Sequence, residues 1–369
     1  MQEGKIIIGL GFGDEGKGNF TSYLCSHSIH PIVIRFSGGQ QAGHTVMTNK
    51  IKHVFSNYGS GTLQDIPTYF TEDTTIYLNT IKKEKDVLNK LGINPILYVH
   101  PLTKITTPFD VAYGQARELK LKHGSCGLGV GSTMNRNINT GYKLHAIDFT
   151  HNSILLEKLD MINQYYRELS YENGFSDLYI DIINEKDGYR DLFYKLINDY
   201  NEYFEIHNYD ILSKYHELIF EGSQGVLLDM DHGIFPHVTY SNTTSKNAIK
   251  ICKNLNIPYE VYYITRCYQT RHGNGWVSNH DRINLINTGE EINVDNLWQG
   301  KLRISELDYD LLNYSISVDN IYNESKINNL VITCLDQRKD FQFDYKKIKH
   351  KLTKIYNSHS PIFNNIKYF

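Results

Sequence analysis

The chain has 369 residues, and 40% of them are hydrophobic, which is enough apolar material for a substantial core. The formal net charge of -3 and the lack of a long Lys or Arg run argue against nucleic acid as a partner. No stretch is long enough to span a membrane, and five scattered cysteines without a C-x-x-C pair indicate reduced thiols, so we expect a cytoplasmic protein.

The first predicted elements are a strand, a glycine-rich loop and a helix. Residues Ile6 to Leu10 are β-branched or apolar, glycine-rich sequence runs on to Gly18, and Asn19 to His27 is compatible with a helix. A second buried strand, Ile32 to Phe36, runs directly into Ser37-Gly38-Gly39. Ligands bind at the carboxyl ends of strands in open α/β sheets, so both loops are candidate ligand sites.

Apolar residues at helical spacing predict helices over about residues 152–216, which we interpret as a helical insertion. Further strands are predicted at Glu217 to Glu221, Glu260 to Arg266 and Leu330 to Leu335. The sequence therefore predicts an α/β fold in which residues 1–369 form a single large domain. Its mostly parallel central sheet is expected to be flanked by helices and to carry a P-loop-like phosphate site.

The loop from Gly11 to Gly18 fits the phosphate-binding pattern G-x-x-x-x-G-K, but Gly18 stands where Ser or Thr is usual. The backbone N–H groups of such a loop converge on phosphate oxygens, while Lys17 and the helix N-terminus add positive potential. The hydroxyl that normally binds Mg²⁺ is missing, and Asp14 is the carboxylate candidate to replace it. The alternative interpretation is a glycine-rich turn with a solvated Asp-Glu pair.

Three sequence blocks, in the same order, resemble the adenylosuccinate synthetase family. They are Gly13-Asp14-Glu15-Gly16-Lys17-Gly18, Gly38-Gly39-Gln40-Gln41-Ala42-Gly43-His44-Thr45, and Phe220-Glu221-Gly222-Ser223-Gln224-Gly225 with its continuation to Thr239. Weaker similarity at Thr270 to Gly275 and at Ile332 to Asp336 extends the resemblance over most of the chain. It implies a homodimeric ligase of purine biosynthesis that joins L-aspartate to the 6-position of IMP. A nucleoside triphosphate is hydrolysed, and adenylosuccinate forms through a 6-phosphoryl intermediate.

By this resemblance, Asp14 is the base that removes the N1 proton of the purine, and His44 is its acid partner at O6. A carbonyl oxygen is a poor nucleophile until N1 is deprotonated, which is why the reaction needs such a pair. Asp14 and the backbone carbonyl of Gly43 are expected to hold Mg²⁺. Lys17 is expected to neutralise the transferred phosphoryl group.

The resemblance also implies a set of nucleotide and phosphate contacts. They are predicted at Gly13, Glu15, Gly16, Gly18, Gln41, Ser125, Cys126, Arg136, Gln224, Thr239 and Asp336. Ser125 and Cys126 replace the paired threonines of the family's monophosphate loop. Arg136 is the candidate to reach across a homodimer to the partner's monophosphate, and Gln41 stands in place of the usual Asn.

Two regions depart from the family pattern. The loop that binds the carboxylates of aspartate is rich in Thr and Arg in the family, whereas residues 293–303 leave Arg303 and Lys301 as cationic candidates. Arg303 is favoured, because its guanidinium fork matches a carboxylate. The family reads guanine with the motif T-K-x-D, and the corresponding residues here are Thr333-Cys334-Leu335-Asp336. The lysine that packs on the base in the family is therefore missing. GTP is favoured through Asp336, and ATP stays open.

Three other functions stay open at this point. The first is the same chemistry on (d)GMP, since short archaeal and phage members resemble this chain; phage enzymes typically carry Ser at the position of Asp14, so IMP is favoured. The second is a nucleotide-binding paralogue without catalysis, against which Asp14, Lys17 and His44 argue. The third, a P-loop kinase or GTPase, is opposed by Gly18 and by the absence of N-K-x-D.

Overall fold

The computed structural model describes residues 2–121, 127–185, 188–279, 283–286, 301–325 and 327–368. Their strands are β1 (Glu3–Gly9), β2 (Pro31–Arg35), β3 (His44–Met47), β4 (Lys52–Phe55), β5 (Thr68–Phe70), β6 (Thr75–Ile76), β7 (Leu97–Val99), β8 (Lys104–Ile105), β9 (Glu205–Ile206), β10 (Glu217–Gly225), β11 (Tyr259–Arg266), β12 (Gln269–His272), β13 (Leu302–Ser305), β14 (Asn328–Thr333), β15 (Ile355–Ser358) and β16 (Ile366–Tyr368). Their helices are α1 (Lys17–Ser26), α2 (Leu78–Lys90), α3 (Pro108–Leu121), α4 (Val130–Asn139), α5 (Asn152–Glu172), α6 (Ser176–Ile183), α7 (Tyr189–Leu196), α8 (Lys246–Asn254) and α9 (Tyr309–Asp319).

Ten strands form one sheet in the order β16-β15-β14-β11-β1-β10-β2-β5-β7-β9. Neighbouring strands run parallel throughout, except for the antiparallel pair of β15 and β16 at one edge. Parallel neighbours require crossover connections, and helices supply most of them here. The predicted α/β fold with a mostly parallel central sheet is confirmed.

The apolar run of β1 is explained by apolar packing on both faces of the sheet. Ile6 and Ile8 pack in one apolar cluster with Ile34, while Ile7 packs in another with Phe20 of α1. Successive side chains of a strand point to opposite faces, so a sheet covered on both sides needs apolar residues at every position. The strand, loop and helix predicted at the start of the chain are consistent with this arrangement.

The helices α2, α3, α5, α6 and α7 contribute to a shared apolar cluster beside the sheet. Residues 152–216 hold α5 to α7, as predicted, and they also supply β9, the edge strand of the main sheet. That this segment is a helical insertion in a single domain of residues 1–369 stays a prediction. Among the described residues, no helix combines the length and apolarity needed to cross a bilayer.

Candidate active site

A cavity of about 1320 Å³ opens where the central strands end. Its described lining brings together predicted residues from five separate segments of the chain: Asp14, Glu15, Gly16, Lys17, Gly18, Gln41, Gly43, His44, Gln224, Thr239 and Asp336. Pockets for one drug-sized ligand range over about 300–1,000 Å³. This cavity therefore has room for more than one small molecule.

Glu15 holds the phosphate loop in shape from within. Its Oε1 accepts hydrogen bonds from the backbone N–H groups of Gly11 (3.0 Å) and Gly13 (2.8 Å). Its Oε2 lies 2.5 Å from the Lys17 ammonium, and both side chains are buried. Glu15 thus orders the loop and orients Lys17, which differs from the direct nucleotide contact predicted from the sequence. Gly13, also predicted as a contact, is buried beside Gln224 and lies outside the described cavity lining.

The structure explains why Gly18 replaces the usual hydroxyl residue. A Cβ at this position would lie 2.9 Å from Cβ of His44 and 3.0 Å from Oγ of Ser60. It would also lie 3.0 Å from the backbone oxygen of Thr45. The first turn of α1 therefore packs directly against the strand that carries His44, and only glycine leaves room for that contact.

Asp14 occupies a strained position at the mouth of this loop. Its φ of 61° is in the left-handed region, and the Nε–H of Arg266 donates to its backbone carbonyl. Burial raises the pKa of the Asp14 carboxyl, and the opposing charges of Arg266 and Lys17 do not cancel that rise. A carboxyl with a raised pKa is a stronger base once it is ionised.

His44 is backed by a buried carboxylate that sequence reasoning missed. Its Nδ1 lies 2.8 Å from Oε1 of Glu221, and the exposed fractions of the two side chains are 6% and 0%. This close approach to a carboxylate favours the tautomer that carries its proton on Nδ1, beside Glu221, and leaves Nε2 for a substrate. Within the described residues, Nε2 is buried and has no hydrogen-bond partner.

Glu221 is held as an anion by the groups around it. Burial alone would raise its pKa, but His44, Arg35 and the hydroxyl of Ser60 together lower it to about 2. Ser60 donates to both oxygens of this carboxylate, through its backbone N–H and its hydroxyl. Burial lowers the pKa of the His44 ring, and Arg35 and Lys17 add to that effect, whereas Glu221 opposes it. The net effect favours the neutral form of the ring.

Gln41 presents an amide to the cavity with neither polar atom satisfied. Its Oε1 and Nε2 are both buried and have no hydrogen-bond partner among the described residues. The neighbouring Gln40 behaves differently, because it is bonded to Thr75, Thr106 and the carbonyl of Leu128. A buried amide without hydrogen bonds raises the free energy of the folded protein. We therefore expect the Gln41 amide to form hydrogen bonds with a polar ligand.

Arg136 does not fit its predicted role across a dimer. Its guanidinium is fully buried and makes two 2.9 Å bonds to the two oxygens of Asp110. It also donates to the backbone carbonyls of Tyr142 and Ile105. Its donors are engaged inside its own chain, so Arg136 joins α4 to α3 and is not available to a partner's ligand.

Arg303 does not line the described cavity either. It lies on β13, where side chains alternate, and its neighbours Leu302 and Ile304 occupy the cavity face. Its guanidinium donates instead to the carbonyls of Gly273 (2.6 Å) and Gly275 (2.8 Å) on the adjacent turn. The predicted grip on aspartate is therefore not formed by Arg303 in this arrangement.

The remaining predicted positions lie outside the described cavity lining or outside the described residues. Lys301 is exposed and lies just before the start of β13, outside the described cavity lining. Ser125 and Cys126, predicted for the monophosphate loop, lie outside the described residues. Most of the predicted aspartate loop, residues 293–300, lies outside them as well.

Known proteins resemble this chain in sequence and in fold. The family model of adenylosuccinate synthetase matches residues 6–354. The chain belongs to the adenylosuccinate synthetase family. An adenylosuccinate synthetase from Buchnera aphidicola is 30% identical over 396 aligned positions, covering 99% of this chain and 85% of that protein. The enzyme from Thermoplasma volcanium is also 30% identical, but the match covers 66% of this chain and 55% of that relative, little more than half its length.

Two solved structures share the fold of this family member. A fully ligated adenylosuccinate synthetase from Plasmodium falciparum superposes with a TM-score of 0.69 at 20% identity, covering 99% of this chain and 86% of that chain. A cyanophage S-2L succinoaminodeoxyadenylate synthetase, bound to dGMP and to dATP as an energy donor, superposes with a TM-score of 0.66 at 14% identity. That match covers 100% of this chain and 95% of the cyanophage chain.

The residues missed by sequence reasoning sit inside or beside family blocks. Glu221 is a charged residue directly after the apolar run Leu218-Ile219-Phe220. A carboxylate at the end of a buried strand indicates that an oppositely charged or hydrogen-bonding partner is buried with it. Gln337 directly follows Asp336 and donates to it, a contact that no sequence pattern indicated. The contact of Glu221 with His44 joins elements far apart in the chain, whereas the contact of Gln337 with Asp336 joins sequence neighbours.

The oxygens predicted for a metal in this family member are compatible with Mg²⁺. The carboxyl of Asp14 and the exposed backbone of Gly43 line the same cavity, and Mg²⁺ is usually held by one or two carboxylates together with substrate phosphates. Among the described residues, no group of three or more His, Cys, Asp or Glu side chains is arranged to hold a metal.

Proposed function

We propose that this chain joins L-aspartate to C6 of IMP, with GTP as the favoured phosphoryl donor and Mg²⁺ as the metal, giving adenylosuccinate. The observation that carries the proposal is the meeting of Asp14 and His44 in one cavity, each in surroundings that suit its role. Asp14 is a half-buried carboxyl with a raised pKa, and His44 has an unpartnered Nε2 and a buried carboxylate behind it.

Asp14 acts first, by taking the proton from N1 of the purine. The electrons of the N1–H bond then enrich O6, which attacks the γ-phosphorus while the nucleoside diphosphate leaves. Burial supports this step, because it raises the pKa of Asp14 towards the working range of a general base.

His44 and Lys17 serve the phosphoryl group as it reaches O6. The incoming negative charge favours the protonated form of His44, and Nε2–H then donates to a phosphoryl oxygen while Nδ1–H stays on Glu221. Lys17, held by Glu15 at the loop, adds positive charge nearby. The amine of aspartate then displaces phosphate from C6 and loses a proton.

Asp14 and the carbonyl of Gly43 are the oxygens we assign to Mg²⁺. When bound, the ion supplies charge neutralisation at the phosphates. This assignment compensates for Gly18, whose position has no room for the usual hydroxyl ligand.

The remaining substrate contacts divide between the two nucleotides. Gln41, Gln224, Thr239 and Asp336 all line the cavity. We assign the first three to the monophosphate and Asp336 to the base of the triphosphate. We propose a homodimer, as the resemblance implies, with a residue other than Arg136 at any shared contact. Lys301 stays a candidate for aspartate.

A panel of monophosphates tests this function. The protein is incubated with aspartate, Mg²⁺ and GTP or ATP against IMP, dIMP, GMP and dGMP, and the products are identified by mass. We expect adenylosuccinate from IMP as the main product. A 2-amino product formed preferentially from GMP or dGMP would reassign the substrate, and the lack of any succinylated nucleotide would refute the ligase proposal.

A further inference from the structure

The base-reading end of the cavity is tied to the phosphate loop. The Oγ1 of Thr333, at the end of β14, donates to the backbone carbonyl of Glu15 at 2.7 Å. Asp336 and Gln337 come within four residues of Thr333, and both line the cavity. This pair therefore lies in the same cavity as the phosphate loop and next to it in the chain fold, which is where we place the base of the triphosphate.

The two side chains form one hydrogen-bonded unit. Nε2 of Gln337 donates to Oδ2 of Asp336 at 2.6 Å. The backbone of Gln337 is fixed on both sides, because its N–H donates to Cys334 and its carbonyl accepts from Ile286, each at 3.0 Å. Within the described part of the chain, these side chains have no other hydrogen bonds.

The unit presents three groups to a ligand. Two are acceptors, the oxygens Oδ1 and Oδ2 of Asp336, and the third is the second N–H of the Gln337 amide, which is a donor. A carboxylate oxygen has more than one lone pair, so Oδ2 can accept from a ligand while it accepts from Gln337. An aspartate alone would offer acceptors only.

Guanine and adenine match different halves of this unit. Guanine offers two donors, N1–H and the 2-amino group, and these suit the two oxygens of Asp336. Adenine offers the 6-amino donor beside the N1 acceptor, and this edge suits Oδ2 of Asp336 together with the N–H of Gln337. The same two residues can therefore accept either base through neighbouring atoms.

We infer that Gln337 is a specificity-determining residue that admits ATP as a second phosphoryl donor beside GTP, an inference that rests on the proposed use of a nucleoside triphosphate. GTP uses the carboxylate of Asp336, whereas ATP needs the amide of Gln337 as well. GTP stays favoured, because both of its contacts are made to a charged acceptor.

Substitution at Gln337 separates the two donors. Gln337→Leu removes the amide donor, and the loss of one hydrogen bond is expected to lower kcat/KM for ATP about tenfold. The value for GTP should fall less than the value for ATP, because guanine loses only the hydrogen bond that orients Asp336 and no direct contact with the amide. Gln337→Met is a second variant of similar length, and Asp336→Asn is the matched opposite, expected to reduce GTP use more than ATP use.

Direct binding gives a readout that does not depend on ligase activity. Calorimetric titration of GTP and ATP into the parent and the variants, with Mg²⁺ but without IMP or aspartate, should show the same change of preference. Failure of the parent to bind ATP, or a ratio of GTP to ATP affinity that neither Gln337 variant changes, would overturn the inference. Binding as expected without any succinylated product would instead refute the proposed function alone.

Discussion

His44 illustrates how a neighbouring charge decides the role of one side chain. With Nδ1–H directed to Glu221, a neutral ring has only an acceptor left at Nε2. Donation to a phosphoryl oxygen requires a second proton on the ring, and burial opposes that proton by lowering the pKa of His44. Glu221 supplies the permanent negative charge that makes the doubly protonated ring accessible when phosphate arrives.

Replacement of Glu221 by Gln should therefore impair the chemical step. The amide keeps the shape of the side chain but removes its charge. Its N–H group can also donate to Nδ1 of His44, the nitrogen that carries the proton in the parent protein. We expect kcat to fall by roughly 10²-fold, the lower end of the range for one acid–base residue, with a smaller change in KM for the nucleotides. Steady-state kinetics on folded protein measures both constants.

Glu84 provides the control for that substitution. It is another buried carboxylate, it lies 3.4 Å from Nε2 of His53, and it is absent from the described cavity lining. Glu84→Gln should lower stability without a comparable loss of kcat. If both variants lost kcat equally, Glu221 would have a purely structural role.

At this scale, residue type and local pattern indicate which residues meet, while the roles of those residues stay predictions. Asp14, Lys17 and His44 were singled out as a group, and the fold does bring them to one cavity. The role predicted for Arg136 rests on the family resemblance and that for Arg303 on its guanidinium, but side-chain direction decides where both groups lie. No pattern in the sequence showed that one points into the core and the other to the opposite face of β13.

At the level of elements, the contact between α1 and β3 leaves no space for a side chain at Gly18. The phosphate loop, the first turn of α1 and the strand carrying His44 meet at Gly18, where a side chain has no space. This contact fixes the position of His44 relative to Lys17.

Gly18→Ser would complete the usual phosphate-loop pattern, yet we expect it to be harmful. Overpacking of this kind typically costs about 1–3 kcal/mol. The free energy of unfolding and kcat should both fall, and affinity for Mg²⁺ should not increase. Gly141→Ser is the control, because a Cβ there meets no atom within 4 Å. Equal stability of the two variants, measured by denaturant unfolding, would contradict this packing account.

The contact between α3 and α4 depends on Arg136 in a similar way. Arg136→Met would leave the carboxylate of Asp110 buried without its cationic partner. Breaking a buried pair from one side typically costs about 3–5 kcal/mol. We expect a large loss of stability measured by unfolding, and an unchanged KM for IMP in the protein that remains folded. A raised KM with normal stability would restore the predicted role across a dimer.

For the whole molecule, the order of the strands in the central sheet brings the segments of the site together. The strands β1, β2, β10, β11 and β14 are far apart in sequence, yet their carboxyl ends open on one cavity. The sequence predicted these strands and the position of ligands at their ends, because glycine-rich and polar segments come after apolar runs. It did not predict the edge strand β9, which is only two residues long.

At the predicted aspartate subsite, strand pairing decides the direction of the candidate side chain. Sequence reasoning depended on a cationic residue within 293–303, and the described residues of that range leave Arg303 turned away from the cavity. Long-range packing of β12 against β13, which pairs Arg271 with Arg303, set this direction. Local residue type carried no information about it.

Transfer of oxygen from the substrate to phosphate tests the central claim most directly. IMP labelled with ¹⁸O at O6 is converted in the presence of aspartate, GTP and Mg²⁺, and the released phosphate is analysed by mass. If Asp14 and His44 support attack of O6 on the γ-phosphorus, the label must appear in phosphate, one atom per adenylosuccinate formed. Unlabelled phosphate accompanied by labelled water would contradict the account, because the 6-oxygen would then leave without ever being phosphorylated.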